Sequence, residues 1–320
     1  MQALVFTAPG QVELQDVAAP QPTPGSSVIR VMASGICGSE LHGFRSVGMR
    51  VPPLVMGHEF AGLTKDGRRV VVNPLISCGE CEACRRGRPQ VCRSRQLLGA
   101  HRAGGFGELA LVPDTGLHDL PDSVDWSAAT LIEPLANAVH AWDHVPSDVA
   151  TAAVIGAGSI GLLCAQVGRA RGVEVVITEP SAHRREVAEG LGLHVVGALD
   201  GEYDAVLDAV GLQVTRRLSL EHCRPAGTSV WVGLGEDVTS LGGHDIVRLE
   251  RRIAGTFAYT PANFAHAVGL ATELDLSWTT DVPLSQSDRV FLSLAGGATD
   301  IVKAAIVPDS KVAAVLETVP

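Results

Sequence analysis

The stretch AAVIGAGSIGLLCAQVGRARGVEVVITE, residues 152–179, limits the possible folds of this chain more than any other. An apolar run, AAVI, leads into Gly156-Ala-Gly158-Ser-Ile-Gly161, and the run after it has helical character. In a strand–turn–helix unit the three glycines have separate uses. The first permits a tight turn, the second lets the backbone approach a pyrophosphate, and the third lets helix pack on strand. The helix N-terminus offers free N–H groups and a positive dipole end to phosphate. The next apolar run ends at Glu179, 21 residues after Gly158, where a carboxylate accepts ribose hydroxyls. The glycines alone fit a turn with no ligand; the full strand–turn–helix–strand–acid order points to a dinucleotide. A carboxylate at Glu179 accepts the 2′-OH of NAD and repels the 2′-phosphate of NADP. NAD is therefore the expected cofactor over NADP, although His183, Arg184 and Arg185 follow closely and soften that repulsion.

The same alternation continues. YDAVLDAV (203–210) and GTSVWVGL (227–234) are short apolar runs, and HRREVAEGLG (183–192) is helix-like. Strands alternating with helices form a parallel sheet covered on both faces, here expected over 146–260. The first 120 residues differ: ALVF, VELQDV and SVIRVMA are β-like, and PQPTPG at 20–25 separates the second from the third. Over 126–142, Leu131, Leu135, Ala138, Val139 and Trp142 mark one helical face, with Pro134 expected to kink or interrupt it. From about 262, NFAHAVGLATEL reads as helix and IVKAAIV as strand. A length of 320 residues suits about two domains.

Charge narrows the partners. With 35 acidic against 25 basic residues the net charge is −10, and the one compact basic run, RRGR at 85–88, is short. Nucleic acid and anionic membrane are poor partners for such a chain. The most apolar stretch, 152–168, spans 17 residues and holds four glycines, short of the roughly 20 apolar residues of a membrane span. The start, MQALVFTAPG, lacks the basic and apolar regions of a secretory signal, so a cytoplasmic protein is expected.

Four of the seven cysteines fall in one stretch, CGECEACRRGRPQVC, as Cys78, Cys81, Cys84 and Cys92. Reducing compartments disfavour disulfides, and a redox motif wants a single C-x-x-C opening a helix. Four thiolates close together in a loop can instead complete a tetrahedron around Zn²⁺. A shell closed in this way has no position for substrate, so this zinc would be structural and the chemistry elsewhere. Cys164 and Cys223 read as packing residues.

Cys37, His58 and Glu133 have the donor chemistry of an open, catalytic zinc, but spacing alone does not bring their segments together. The segments CGSELH, GHEFAG, the cysteine loop, GGFGELALVP, IEPLANAVHAW, VIGAGSIGLL, VLDAVG and RRIAGTFAY occur in this order. In that combination the chain resembles the zinc-dependent medium-chain dehydrogenase/reductase family, of the alcohol and polyol (sorbitol/threonine) dehydrogenase type, over nearly its whole length. The resemblance implies an α/β chain with two domains. One is a GroES-like β-barrel catalytic domain, 1–145 and 261–320, with a zinc lobe loop at 76–94. The other is a Rossmann domain, a doubly wound parallel sheet at 146–260.

By the same resemblance Cys37, His58, Glu59 and Glu133 surround a catalytic zinc, with Glu59 bound directly or through water. Cys78, Cys81, Cys84 and Cys92 hold the structural zinc. Ser39 hydrogen-bonds the alcohol, and His42 is the outer end of a proton relay. Glu40 stands where aspartate is commoner and would orient the histidine. Gly156, Gly158, Ser159, Ile160, Gly161, Glu179, Arg184, Val232, Gly233 and Phe257 would contact NAD. Phe44, Phe106 and Trp126 are candidate pocket residues. The segment HEFAGLTKDGRRVVV is about ten residues shorter than expected there.

The implied activity is hydride transfer between NAD and the secondary alcohol of a polyol, cyclitol or amino alcohol. The partner is a small alcohol or ketone, and a homodimer or homotetramer is expected. A zinc-free NAD(P)-dependent reductase of activated double bonds and a non-catalytic NAD-binding protein are the alternatives. The complete Cys37, His58, Glu59 and Glu133 set weighs against both.

Overall fold

A computed structural model describes residues 1–298 and 300–309; Thr299 and 310–320, the end of the expected 261–320 segment, lie outside the described residues. The chain forms two compact units: Met1–Glu133 with the residues from Thr260 on, and Pro134–Tyr259.

The second unit is built on six parallel strands. In chain order they are Thr151–Ile155, Glu174–Thr178, His194–Val196, Tyr203–Asp208, Cys223–Trp231 and Arg252–Gly255. Numbered one to six, they lie in the spatial order 3-2-1-4-5-6, that of a doubly wound dinucleotide-binding sheet. The helices Ser159–Ala170, Ala182–Gly190, Gln213–Glu221 and Gly243–Arg248 connect them. Ala152 to Ile155 are all buried, as a strand covered on both faces requires.

The helical stretch 126–142 divides in two. Trp126–Ala129 is capped by Asp125, whose Oδ1 accepts from the Ser127 and Ala128 amides. The second helix is Ile132–Trp142. Pro134 therefore falls in a first turn, where its missing N–H costs nothing, and the break lies ahead of it. Trp142 Nε1 donates to Cys164 O at 2.7 Å. A Cβ at Gly168 would lie 2.3 Å from the Trp142 ring, so only glycine lets that helix close on the indole.

In the first unit a seven-stranded sheet runs Leu117–Asp119, Arg69–Val72, Glu59–Leu63, Ser26–Gly35, Ala304–Val307 and Thr280–Pro283, with Leu109–Pro113 pairing the first half of Ser26–Gly35. A smaller sheet orders Gln11–Asp16, Gln2–Ala8 and Leu54–Val55. Two apolar clusters form the core: one around Phe6, Met56, Phe106 and Phe291, the other around Ile29, Phe60, Val72 and Leu98. The shortened segment is a plain hairpin. Glu59–Leu63 pairs with Arg69–Val72, and the Thr64 hydroxyl accepts from the Arg68 amide at 3.0 Å across the turn.

Candidate functional site

Strand register assembles what spacing could not. Gly35, the last residue of Ser26–Gly35, lies opposite Glu59, the first of Glu59–Leu63. Cys37 and His58 stand just beyond these paired ends. Cys37 is the N-cap of the short helix Gly38–Gly43. Before His58 the chain turns at Gly57, with φ +93°, and a Cβ there would lie 2.5 Å from the Phe106 ring. Donor atoms of Cys37, His58 and Glu59 consequently come within 4.8 Å of one another. Glu133 is not one of this trio; it is buried in the first turn of Ile132–Trp142.

Glu40, standing where the resemblance makes aspartate commoner, reaches the histidine. Its Oε1 lies 2.9 Å from His58 Nδ1 and accepts from the Gly57 amide, while Oε2 accepts from the Cys37 amide at 3.0 Å. One fully buried carboxylate thus ties together the backbones beside two candidate ligands and leaves His58 Nε2 for a metal. Burial raises the Glu40 pKa, but His58 and Arg50 outweigh it and hold the carboxyl below its usual value. For His58 burial pulls down, yet Glu40 and Cys37 raise it well above the usual imidazole value.

Sequence reading missed two buried cations. Arg50 donates to Gly99 O and Ser39 O, each at 3.2 Å, and to Ser39 Oγ at 3.4 Å. Lys303 pairs with Glu59. Burial lowers the Lys303 pKa, but Glu59, Cys37 and Glu40 together raise it, so it stays charged. No motif announces either residue, and Lys303 is 244 residues from its partner. Ser39 and His42 are exposed on Gly38–Gly43. Of the candidate pocket aromatics, Phe44 and Phe106 are core residues packed edge-on against Phe291. Trp126 lies under Arg69 and lines a cavity of 590 Å³ to which none of the trio contributes.

The four loop cysteines converge without disulfides. Their sulfurs are 3.5 Å apart for Cys81–Cys84 and Cys92–Cys78, and 3.9 Å for Cys78–Cys84. Zinc–sulfur bonds of about 2.3 Å give a tetrahedron with edges of about 3.8 Å, so the donor set fits zinc. Backbone amides of Glu80 and Cys81 lower Cys78 to about 6. Partial burial and then Cys81 raise Cys84 to about 11. Such crowding is what a dication relieves.

In the second unit the predicted cofactor residues follow the C-terminal ends of the parallel strands, where open α/β sheets bind ligands. Gly156 directly follows the first strand, Glu179 the second, Val232 and Gly233 the fifth, and Phe257 lies just past the sixth. Gly156 has φ +95°, and a Cβ on Gly161 would sit 1.7 Å from Gly156 O. Gly158 differs: it caps the helix Ser159–Ala170, and its Cβ would meet nothing within 4 Å. The fold itself does not need glycine there, but a phosphate at the helix N-terminus does. The chain thus has a cradle that a side chain would fill. Glu179 is buried, accepting from the Ala157 amide at 2.8 Å and the Ser181 amide at 2.9 Å. Arg185 donates to Glu179 O and Pro180 O, while Arg184 Nε has no hydrogen-bond partner among the described residues.

Comparison with known proteins agrees with this geometry. Residues 23–122 match the alcohol dehydrogenase GroES-like domain, and 159–273 match the zinc-binding dehydrogenase family. The chain is 34% identical over 264 residues to L-threonine 3-dehydrogenase of Pyrococcus horikoshii, covering 73% of this chain and 76% of that one. It is 31% identical to L-galactonate-5-dehydrogenase of Escherichia coli K12, covering 85% and 88%. A protein of Sinorhizobium meliloti 1021, solved bound to NADP, superposes with a TM-score of 0.90 at 28% identity, covering 96% and 99%. The chain belongs to the zinc-dependent medium-chain dehydrogenases, the family of the alcohol and polyol dehydrogenases.

Proposed function

We propose that this chain oxidises the secondary alcohol of a polyol, cyclitol or amino alcohol, with NAD as hydride acceptor and zinc at the Cys37, His58 and Glu59 site. The observation that carries the reading is the convergence of those three donors with Glu40 behind His58. A thiolate, an imidazole and a carboxylate leave a coordination position open, as catalytic zinc requires. The names of the relatives, one a dehydrogenase of threonine, a hydroxy amino acid, and one of galactonate, a sugar acid, support a secondary alcohol on a small polar substrate.

Zinc held there would supply Lewis acidity toward the substrate oxygen, and NAD bound in the second unit would supply the hydride acceptor. The protein's own residues do the rest. Cys37, His58 and Glu59 would hold the metal, with Glu133 as a further carboxylate near it rather than a fourth ligand. Ser39 hydrogen-bonds the alcohol and passes its proton outward, and exposed His42 delivers it to water. Ser159 and Ile160 at the helix start, with Gly156, Gly158 and Gly161, cradle the pyrophosphate. Glu179 and Arg184 hold the adenine-side ribose, and Val232, Gly233 and Phe257 border the rest of the cofactor. The buried Glu179 carboxylate favours NAD over NADP. Domains at 1–145 with 261–320 and at 146–260, a cytoplasmic location suited to reduced cysteines, and a homodimer or homotetramer complete the reading.

The test is a panel of polyols, cyclitols and amino alcohols with NAD⁺. Turnover on at least one secondary alcohol is expected, abolished in Cys37→Ser while NAD⁺ binding persists. Reduction of activated double bonds by Cys37→Ser as fast as by wild type would instead establish the zinc-free alternative.

A further inference from the structure

The candidate metal trio has a fourth member that is not a ligand. Lys303 Nζ pairs with Glu59 Oε2 and donates to Ile36 O at 3.2 Å. Both charged side chains are 2% exposed. Three strands explain how they meet. Glu59 opens a strand on one side of Ser26–Gly35, and Lys303 immediately precedes Ala304–Val307 on the other. The pair therefore crosses the central strand at Gly35. A Cβ on Gly35 would lie 2.6 Å from Glu59 Oε2 and 2.8 Å from Lys303 Cε. The bare glycine backbone is the floor on which the pair closes, so the contact is built into the sheet rather than made by two loose side chains.

Charge gives the pair its consequence. A buried carboxylate is tolerated only with a compensating partner, and for Glu59 that partner is Lys303. A divalent cation between Cys37, His58 and Glu59 would compensate the same carboxylate. Resting on the zinc reading above, we propose that Lys303 is a positioning residue that competes with the metal for Glu59. It claims one carboxylate oxygen, fixes the rotation of the other, and so weakens the hold of Glu59 on the metal. The metal then keeps a coordination position for the substrate oxygen.

The test uses full-length protein with the cysteine-loop zinc in place, and reads metal affinity rather than turnover. Zinc binding at the second site is titrated against a chromophoric chelator, and thermal unfolding is followed with and without added Zn²⁺. Lys303→Met, which keeps the length and removes the charge, is expected to bind zinc at least about tenfold more tightly. Its zinc-induced rise in Tm should also exceed that of wild type. Lys303→Arg, which restores the charge on a bulkier head, should bind zinc less tightly than Lys303→Met. A merely structural lysine would lower Tm equally with and without zinc and leave the affinity alone. Unchanged or weaker binding by Lys303→Met overturns the inference. A Lys303→Met chain that folds only when zinc is added supports it. If that variant folds under neither condition, Lys303→Gln decides by the same affinity criterion. Failure of wild type to bind any second zinc would sink the zinc reading itself, and this inference with it.

Discussion

His58 Nδ1 lies 2.9 Å from Glu40 Oε1, and the same carboxyl group accepts the amides of Cys37 and Gly57. Two candidate ligands 21 positions apart in sequence are thus held by one side chain. Glu40→Ala should reduce second-site zinc affinity by about 10–100-fold, measured by chelator competition. Glu40→Asp should fall between, because the shorter side chain cannot span all three contacts. Wild-type affinity in Glu40→Ala would remove Glu40 from the support of the site.

Two glycines of the nucleotide turn, Gly158 and Gly161, should separate by experiment. Gly158→Ala adds a methyl group into open space, so Tm should hardly change while the Kd for NAD⁺ rises about tenfold or more. Gly161→Ala drives a methyl against Gly156 O and should lower Tm strongly, by an overpacking cost of about 1–3 kcal/mol. Calorimetry on both variants distinguishes them. Equal NAD⁺ affinity in wild type and Gly158→Ala would argue against a phosphate at this turn.

The cysteine loop should titrate with its metal. Without metal Cys84 stands at about 11, so at neutral pH it is protonated, whereas in a zinc complex it is a thiolate. Zinc binding to the loop must therefore release protons, and its affinity should rise with pH through the neutral range. Cys84→Ser should lose this zinc and only this zinc. Proton release measured in weakly buffered solution checks the first point, and zinc content the second.

A further pH effect belongs to Asp204. Its Oδ2 accepts from the amides of Ala150 and Thr151 and the Thr151 hydroxyl, and Oδ1 accepts from Arg224. Burial pushes its pKa up, but the Thr151 contacts and Arg224 outweigh that and lower it. A depressed carboxylate contributes stability that is present above its unfolded pKa of about 4 and lost as pH falls through the folded value. Asp204→Asn should cost roughly 1 kcal/mol or less at pH 7, since water reaches the side chain. The difference from wild type should vanish in more acidic denaturant titrations.

What the sequence disclosed followed from local chemistry. The glycine turn, Glu179 and the cysteine loop each lie within a short segment, so spacing alone carries their geometry. The meeting of Cys37 with His58 and Glu59 depends on the register of two antiparallel strands, which no spacing encodes; only likeness to a family suggested it. Lys303 and Arg50 enter from still further away and belong to no motif. In sequence Phe44 and Phe106 suit a pocket as well as a core, because aromatic side chains fill both; their edge-on packing against Phe291 places them in the core. The helix break before Pro134 lay hidden because the apolar spacing runs on across it.

Zinc per chain, determined by elemental analysis of protein purified without chelator or added metal, tests the central claim most directly. Two ions per wild-type chain and one per Cys37→Ser chain are predicted, with NAD⁺ binding retained in both. A single ion in wild type, or two ions undiminished in Cys37→Ser, would contradict a catalytic zinc at Cys37, His58 and Glu59.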